Sequence, residues 1–198
     1  MPARSFLAVE LPDSSRALIA GACAEFRAVA PAWAGDKWVA PALLHITVKF
    51  IGALPDPSVI PLLEALREES ARHAPLQLEV ADIRAVPSLR RASMLWARVG
   101  GEIERCELLA SGLEGVLEQM LGVARDTRTF RPHLTLVRAR EHRAVAETTL
   151  EAVNTYLREP ARAGGRAMSV PYVTLFSSTL GTAGPAYREL GSIPLAGR

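Results

Sequence analysis

Leu44-His45-Ile46-Thr47-Val48-Lys49-Phe50-Ile51-Gly52 is the stretch on which the reading of the fold turns. It is apolar, rich in β-branched residues and stopped by a glycine, which predicts a strand. Side chains along a strand alternate between faces, so His45, Thr47 and Lys49 share one face and Ile46, Val48 and Phe50 the other, where Phe50 is expected to pack in the core. The pattern returns 88 residues later as Arg131-Pro132-His133-Leu134-Thr135-Leu136-Val137-Arg138. Here His133 and Thr135 point together, Arg131 shares their face by parity, and Arg138 falls on the opposite one.

The sequence around each copy also repeats. A short strand at 6–10 and a helix at 16–30 precede the first copy; a helix at 57–73 and a strand at 76–86 follow it. A strand at 93–99, a turn at Gly100-Gly101 and a helix at 103–121 ended by Gly122 precede the second copy. A helix at 141–157, a strand at 168–177 and a last short strand at 187–193 follow it. Ala8 stands 37 residues before His45, and Ala97 stands 36 before His133. A degenerate duplication of this kind predicts an α+β fold. Residues 1–198 then form a single domain of two pseudo-symmetric lobes, each an antiparallel-rich sheet with helices on its outer face, enclosing a central groove. The stretch Ala163-Gly164-Gly165 reads as a loop.

Composition narrows the function classes. The 198 residues are 49% hydrophobic and 22% charged, the make-up of a globular chain with a real core. The formal net charge is only +2, too small a surplus to demand a duplex-binding protein, though a locally held anion is compatible with it. Two cysteines, Cys23 and Cys106, both in helical segments, support neither a disulfide framework nor a zinc cluster. With no signal peptide pattern and no membrane-spanning run, the expectation is a cytoplasmic monomer without membrane contact.

Two imidazoles, each beside a hydroxyl and related by a pseudo-twofold, suit displacement at phosphorus. One imidazole deprotonates the incoming oxygen while the other protonates the leaving one. Thr47 and Thr135 can donate hydrogen bonds to the non-bridging oxygens. Neither strand carries a carboxylate or cysteine on the histidine's face, so no metal and no cofactor are expected. Arg131 and Lys49 are candidate substrate contacts. His73 and His142, near helix ends, read as solvated, and Arg90 and Arg91 as a solvated turn able to touch a nucleic acid strand.

The paired His-x-Thr-x strands resemble those of the two-histidine phosphoesterase superfamily, and most closely the bacterial RNA 2′,3′-cyclic phosphodiesterases, also called 2′-5′ RNA ligases. The similarity extends to the stretch 4–12, to Trp38-Val39-Ala40-Pro41, Leu95-Trp96-Ala97 and Phe130-Arg131-Pro132, and to the tail at 185–190. It implies metal-independent hydrolysis of RNA 2′,3′-cyclic phosphate ends to 2′-phosphates, with possible reverse 2′-5′ ligation. RNA ends or nucleoside 2′,3′-cyclic phosphates would be the partners. It further implies His45 as proton donor and His133 as proton acceptor, an assignment the residues themselves leave open. Two alternatives remain open: a phosphodiesterase for small cyclic nucleotides or ADP-ribose cyclic phosphate, and a non-catalytic module that binds RNA ends.

Overall fold

The computed structural model describes residues 4–182 and 184–197. The chain runs β1 (Arg4–Glu10), α1 (Asp13–Val29), β2 (Lys37–Trp38), β3 (His45–Ala53), α2 (Asp56–Ser70), β4 (Leu76–Val86), β5 (Ala92–Gly101), α3 (Ile103–Leu121), β6 (His133–Arg143), α4 (Glu147–Arg158), α5 (Ala163–Arg166), β7 (Ala167–Val170), β8 (Tyr172–Gly181) and β9 (Gly184–Pro194). The expected mixed class holds: a curled antiparallel sheet carries helices on one side.

The strand order is β7-β4-β5-β6-β3-β1-β8-β9, with β2 beside β6. The order is symmetric about the β6/β3 junction, and it reveals an exchange. The strand that ends the first sequence repeat, β4, pairs with β5 of the second, while β8 of the second repeat pairs with β1 of the first. Each lobe is therefore built from both halves of the chain. Helices follow the same logic: α1 packs on α4 and α5, and α2 packs on α3 and β9.

At the junction a single rung, Ile46 against Leu134, joins β3 to β6. Both side chains are wholly buried, so the lobes meet on an apolar contact in the core. Among the described residues this is the one rung between β3 and β6, and at Val137 and Arg138 the place beside β6 is taken by β2.

Both motif strands carry a β-bulge at the same place. Along β3, Thr47 pairs with Ala8 and Lys49 with Leu7, leaving Val48 as the extra residue. Along β6, Thr135 pairs with Trp96 and Val137 with Leu95, leaving Leu136 extra. An extra residue reverses the parity of everything beyond it. Val48 and Lys49 are thus both buried while Phe50 is 68% exposed, and Leu136 and Val137 are both buried while Arg138 is exposed. Simple alternation misplaced Lys49, Phe50 and Arg138 for this one reason.

Three expected elements differ. β6 continues to Arg143 where a helix from 141 was expected. Tertiary contacts hold this segment extended: Arg140 N–H donates to Asp36 Oδ1, Arg143 ion-pairs with Asp36, and Val145 N–H donates to Leu89 O. The strand expected at 168–177 is two strands separated by Pro171, which has no N–H for the ladder. Ala163-Gly164-Gly165 is not a loop but the start of α5, and a Cβ on Gly165 would lie 3.0 Å from Leu18 Cβ and from Ser14 O, so the glycine lets α5 seat against α1. At the end of α3, Gly122 has φ +66°, the left-handed closure that a glycine makes without strain.

Candidate active site

His45 and Thr47 lie on β3, His133 and Thr135 on β6, directly flanking the Ile46–Leu134 rung. Antiparallel register then sets His45 across from Thr135 and Thr47 across from His133. The four side chains form a two-by-two array in which the imidazoles occupy one diagonal, with Cα atoms roughly 8 Å apart by strand spacing and rise. All four line a cavity of about 530 Å³, together with Arg4, Phe6, Lys37, Trp38, Phe50, Arg138 and Tyr187.

The two imidazoles are anchored alike. His45 Nδ1 lies 2.8 Å from Leu43 O, and His133 Nδ1 lies 2.8 Å from Arg131 O. A carbonyl oxygen only accepts, so in each ring Nδ1 carries the proton and Nε2 is the nitrogen left for chemistry. Each anchor is the carbonyl two residues upstream, the same local device used twice.

The surroundings of the two rings differ. His45 packs between Phe6, 5.0 Å away, and the edge of Tyr187, 5.3 Å away. Burial lowers its pKa, the bond to Leu43 O opposes that shift, and the charge of Arg16 adds to it. His133 stacks on Trp96, with ring centroids 3.9 Å apart and planes inclined by 25°. Burial raises the Tyr187 phenol and the Arg138 charge partly offsets this, so the hydroxyl stays a neutral donor at working pH.

Arg16, on α1, is a residue that sequence reasoning missed. Its Nη1 donates to the carbonyls of Pro41, Ala42 and Leu44 at 3.0, 3.1 and 3.1 Å, and its Nε donates to Leu11 O at 3.1 Å. Pro41, Ala42 and Leu44 belong to the 3-10 turn whose Leu43 O anchors His45. The guanidinium thereby fixes the turn and, through it, the ring. No local pattern in α1 distinguishes this arginine from one at the surface.

The two cations expected beside the histidines are placed otherwise. Lys49 is only 5% exposed and turns toward α3, where Nζ lies 2.8 Å from Glu114 Oε1 and 2.9 Å from Asp126 Oδ2. The bulge at Val48 sends it to the helix side, so it does not contribute positive charge to the groove. Arg131 is exposed ahead of β6 and does not line the cavity; its observed contact with the site is its carbonyl. Groove cations are instead Arg4, Lys37 and Arg138, and Lys37 pairs with Arg138 across the β2/β6 ladder. A second hollow, beneath α3, is lined by Glu104, Glu107, Glu114 and Asp126 and is electrostatically unsuited to a phosphate.

Of the remaining candidates, His142 is exposed, as expected, and His73 is half-buried beside Glu69. Cys23 and Cys106 are free, and burial pushes both thiols up to about 12. No helix among the described residues is long and apolar enough to cross a membrane.

A curled sheet that brings two His-x-Thr strands together across an arginine-bearing groove defines a phosphoesterase scaffold. A family model described as "LigT like phosphoesterase" matches residues 9–96. A curated RNA 2′,3′-cyclic phosphodiesterase of Thermus thermophilus is 30% identical, over 98% of this chain and 91% of its own length. The chain belongs to the LigT-like phosphoesterases of the two-histidine superfamily. A second relative, the RNA 2′,3′-cyclic phosphodiesterase of Aquifex aeolicus, is 24% identical over 81% of this chain and 82% of its own. Among solved structures, that of a Thermus thermophilus protein superposes with a TM-score of 0.73 at 29% identity, covering 98% of each chain.

Proposed function

We propose that the protein hydrolyses RNA 2′,3′-cyclic phosphate ends to 2′-phosphates through its histidine pair, without a metal. The observation that carries this reading is the doubled anchoring of Nδ1, which leaves two Nε2 atoms to serve one groove. Family membership and the names of its curated relatives supply the substrate class.

In the hydrolytic direction His133 Nε2 takes a proton from water, whose oxygen attacks phosphorus. The P–O3′ bond breaks as His45 Nε2–H gives its proton to the departing 3′ oxygen. Thr47 and Thr135 donate to the non-bridging oxygens, and Arg138 supplies the cation expected of Arg131. Burial lowers the pKa of His45, but a bound phosphodiester is anionic and favours the charged imidazolium, so the donor proton is loaded with substrate. With a 5′-hydroxyl in place of water the same steps join it to a 2′,3′-cyclic phosphate end in a 2′-5′ linkage, and their reversal cleaves that linkage. The working form is a cytoplasmic monomer.

The test is an oligoribonucleotide ending in a 2′,3′-cyclic phosphate, incubated with excess EDTA. Conversion to the 2′-phosphate should persist in EDTA and be lost in both His45→Ala and His133→Ala. Turnover abolished by EDTA, or retained in either variant, would refute the mechanism.

A further inference from the structure

The arginines on the two sides of His133 are not equivalent. On the β5/β4 side, Arg98 forms a fork with Asp82 at 2.7 Å on each arm, and Arg84 reaches the same carboxylate at 3.3 Å. Arg98 is the register partner of His133, so this cluster, in which one carboxylate engages two guanidiniums, adjoins the site. At the opposite end of β6, Arg138 lies in the groove and touches Met94 Sδ through Nη1 at 3.0 Å. Beyond it come Arg140 and His142, both exposed, and Arg91 Nη2 lies 3.4 Å from His142 Nδ1. Arg90 is exposed beside it in the turn that abuts β6. Among the described residues, Arg90, Arg91, Arg138 and Arg140 form no ion pair; Arg4, Arg16, Arg27, Arg67, Arg128, Arg131, Arg158 and Arg188 form none either, so what marks this strip is that four such guanidiniums gather at one end of β6 beside the groove.

An arginine without a carboxylate partner costs self-repulsion when several cluster, and it is available to a phosphate. From Arg138 to His142 the strand covers up to about 13 Å, room for more than one backbone phosphate beyond the reacting one. Glu141 lies within this segment and is exposed, so the strip is four guanidiniums interrupted by one carboxylate. The net charge of +2 is a sum over the whole chain and does not register where cations cluster.

Resting on the proposed activity, we infer that the RNA strand leaves the groove along the outer end of β6, where Arg138, Arg140, Arg91 and Arg90 grip the phosphates upstream of the cyclic end. The preferred substrate is therefore an oligonucleotide rather than a mononucleotide, and the strand avoids the Asp82 side. Grip of this kind is sequence-independent and salt-dependent.

The experiment compares binding of a ten-nucleotide RNA bearing a terminal 2′-phosphate, and turnover of the cyclic-phosphate form of that RNA and of 2′,3′-cyclic AMP. Proteins tested are the wild type, R91A/R140A and the control R84A/R98A, each at two salt concentrations. R91A/R140A should weaken RNA binding and raise its KM about tenfold, and flatten the log–log salt slope by about 1.4, or 0.7 for each phosphate no longer neutralised. Turnover of 2′,3′-cyclic AMP should be unchanged, and R84A/R98A should bind RNA as the wild type does. Equal RNA binding and salt slope in R91A/R140A and wild type would overturn the proposal, as would a larger loss in R84A/R98A. Because binding of the 2′-phosphate RNA needs no catalysis, a wild type that binds but does not turn over would refute the proposed activity while leaving the strip supported.

Discussion

Trp96 lies flat against His133, 3.9 Å between ring centroids, and with the Arg131 carbonyl it fixes both the plane and the tautomer of that imidazole. The carbonyl comes from a segment without regular structure, whereas Trp96 stands on β5, a central strand. Rigidity at the site therefore comes from the indole.

Replacing Trp96 by Leu should lower kcat about tenfold or more with KM moved little, because ring orientation matters to the chemical step more than to binding. Phe at this position should restore most of the loss, since a flat ring is what the stack requires. A merely structural role would show as a fall in Tm that tracks activity, with Phe no better than Leu.

The pH profile should carry the signature of His45. A donor acts only when protonated, so the rate falls as pH rises through its pKa. Because burial places that pKa below the usual 6.5, the alkaline limb of kcat/KM should begin below pH 6.5. The limb of kcat should lie higher, since the bound phosphate favours the imidazolium. Stopped-assay rates from pH 4.5 to 9 check both limbs; a kcat/KM limb above pH 7 would assign the donor role elsewhere.

Lys49 ties β3 to α3 and to the segment before β6, and its loss should be felt in stability. Burial alone would lower the ammonium, but the hydrogen bonds and charges of Glu114 and Asp126 outweigh it and raise the pKa. That contribution is complete below about 10.5 and is lost only as pH rises through the higher folded value. The same contact depresses Asp126, whose share is present above about 3.9 and lost as pH falls through its lower folded value. K49M should cost about 2–3 kcal/mol at pH 7, measured by urea titration, and its stability should fall less steeply than that of the wild type below pH 4.

Arg16→Ala should loosen the turn before His45. Four charge-assisted bonds to carbonyls disappear, and a destabilisation of about 2 kcal/mol is expected. Activity should fall further than the unfolded fraction explains, with kcat reduced more than KM is raised. Lysine, a single point charge without the planar fork, should not rescue it.

The paired motif strands, the repeat and the four-residue array were legible in the sequence because each rests on local periodicity. Parity beyond Thr47 and Thr135 was not, because a bulge is decided by how the neighbouring strands β1 and β5 curve. Lys49 was thereby assigned to the groove and Phe50 and Arg138 to the opposite face. The extended run 139–143 was also hidden: its contacts with Asp36 and Leu89 are tertiary, while its composition suits a helix. Arg16 left no trace, since its partners in the turn are backbone carbonyls 25 to 28 residues away.

The exchange of β4 and β8 between the lobes makes the order of synthesis matter. During translation the first repeat emerges with one edge of β1 bare, and the strand that covers it is not made until residues 172–181. An unpaired edge is a template for association with other chains. Neither half of the duplicated sequence is therefore a folding unit, although each contains a complete His-x-Thr motif. The twofold within this one chain thus has the form of two strand-swapped repeats held by a single backbone.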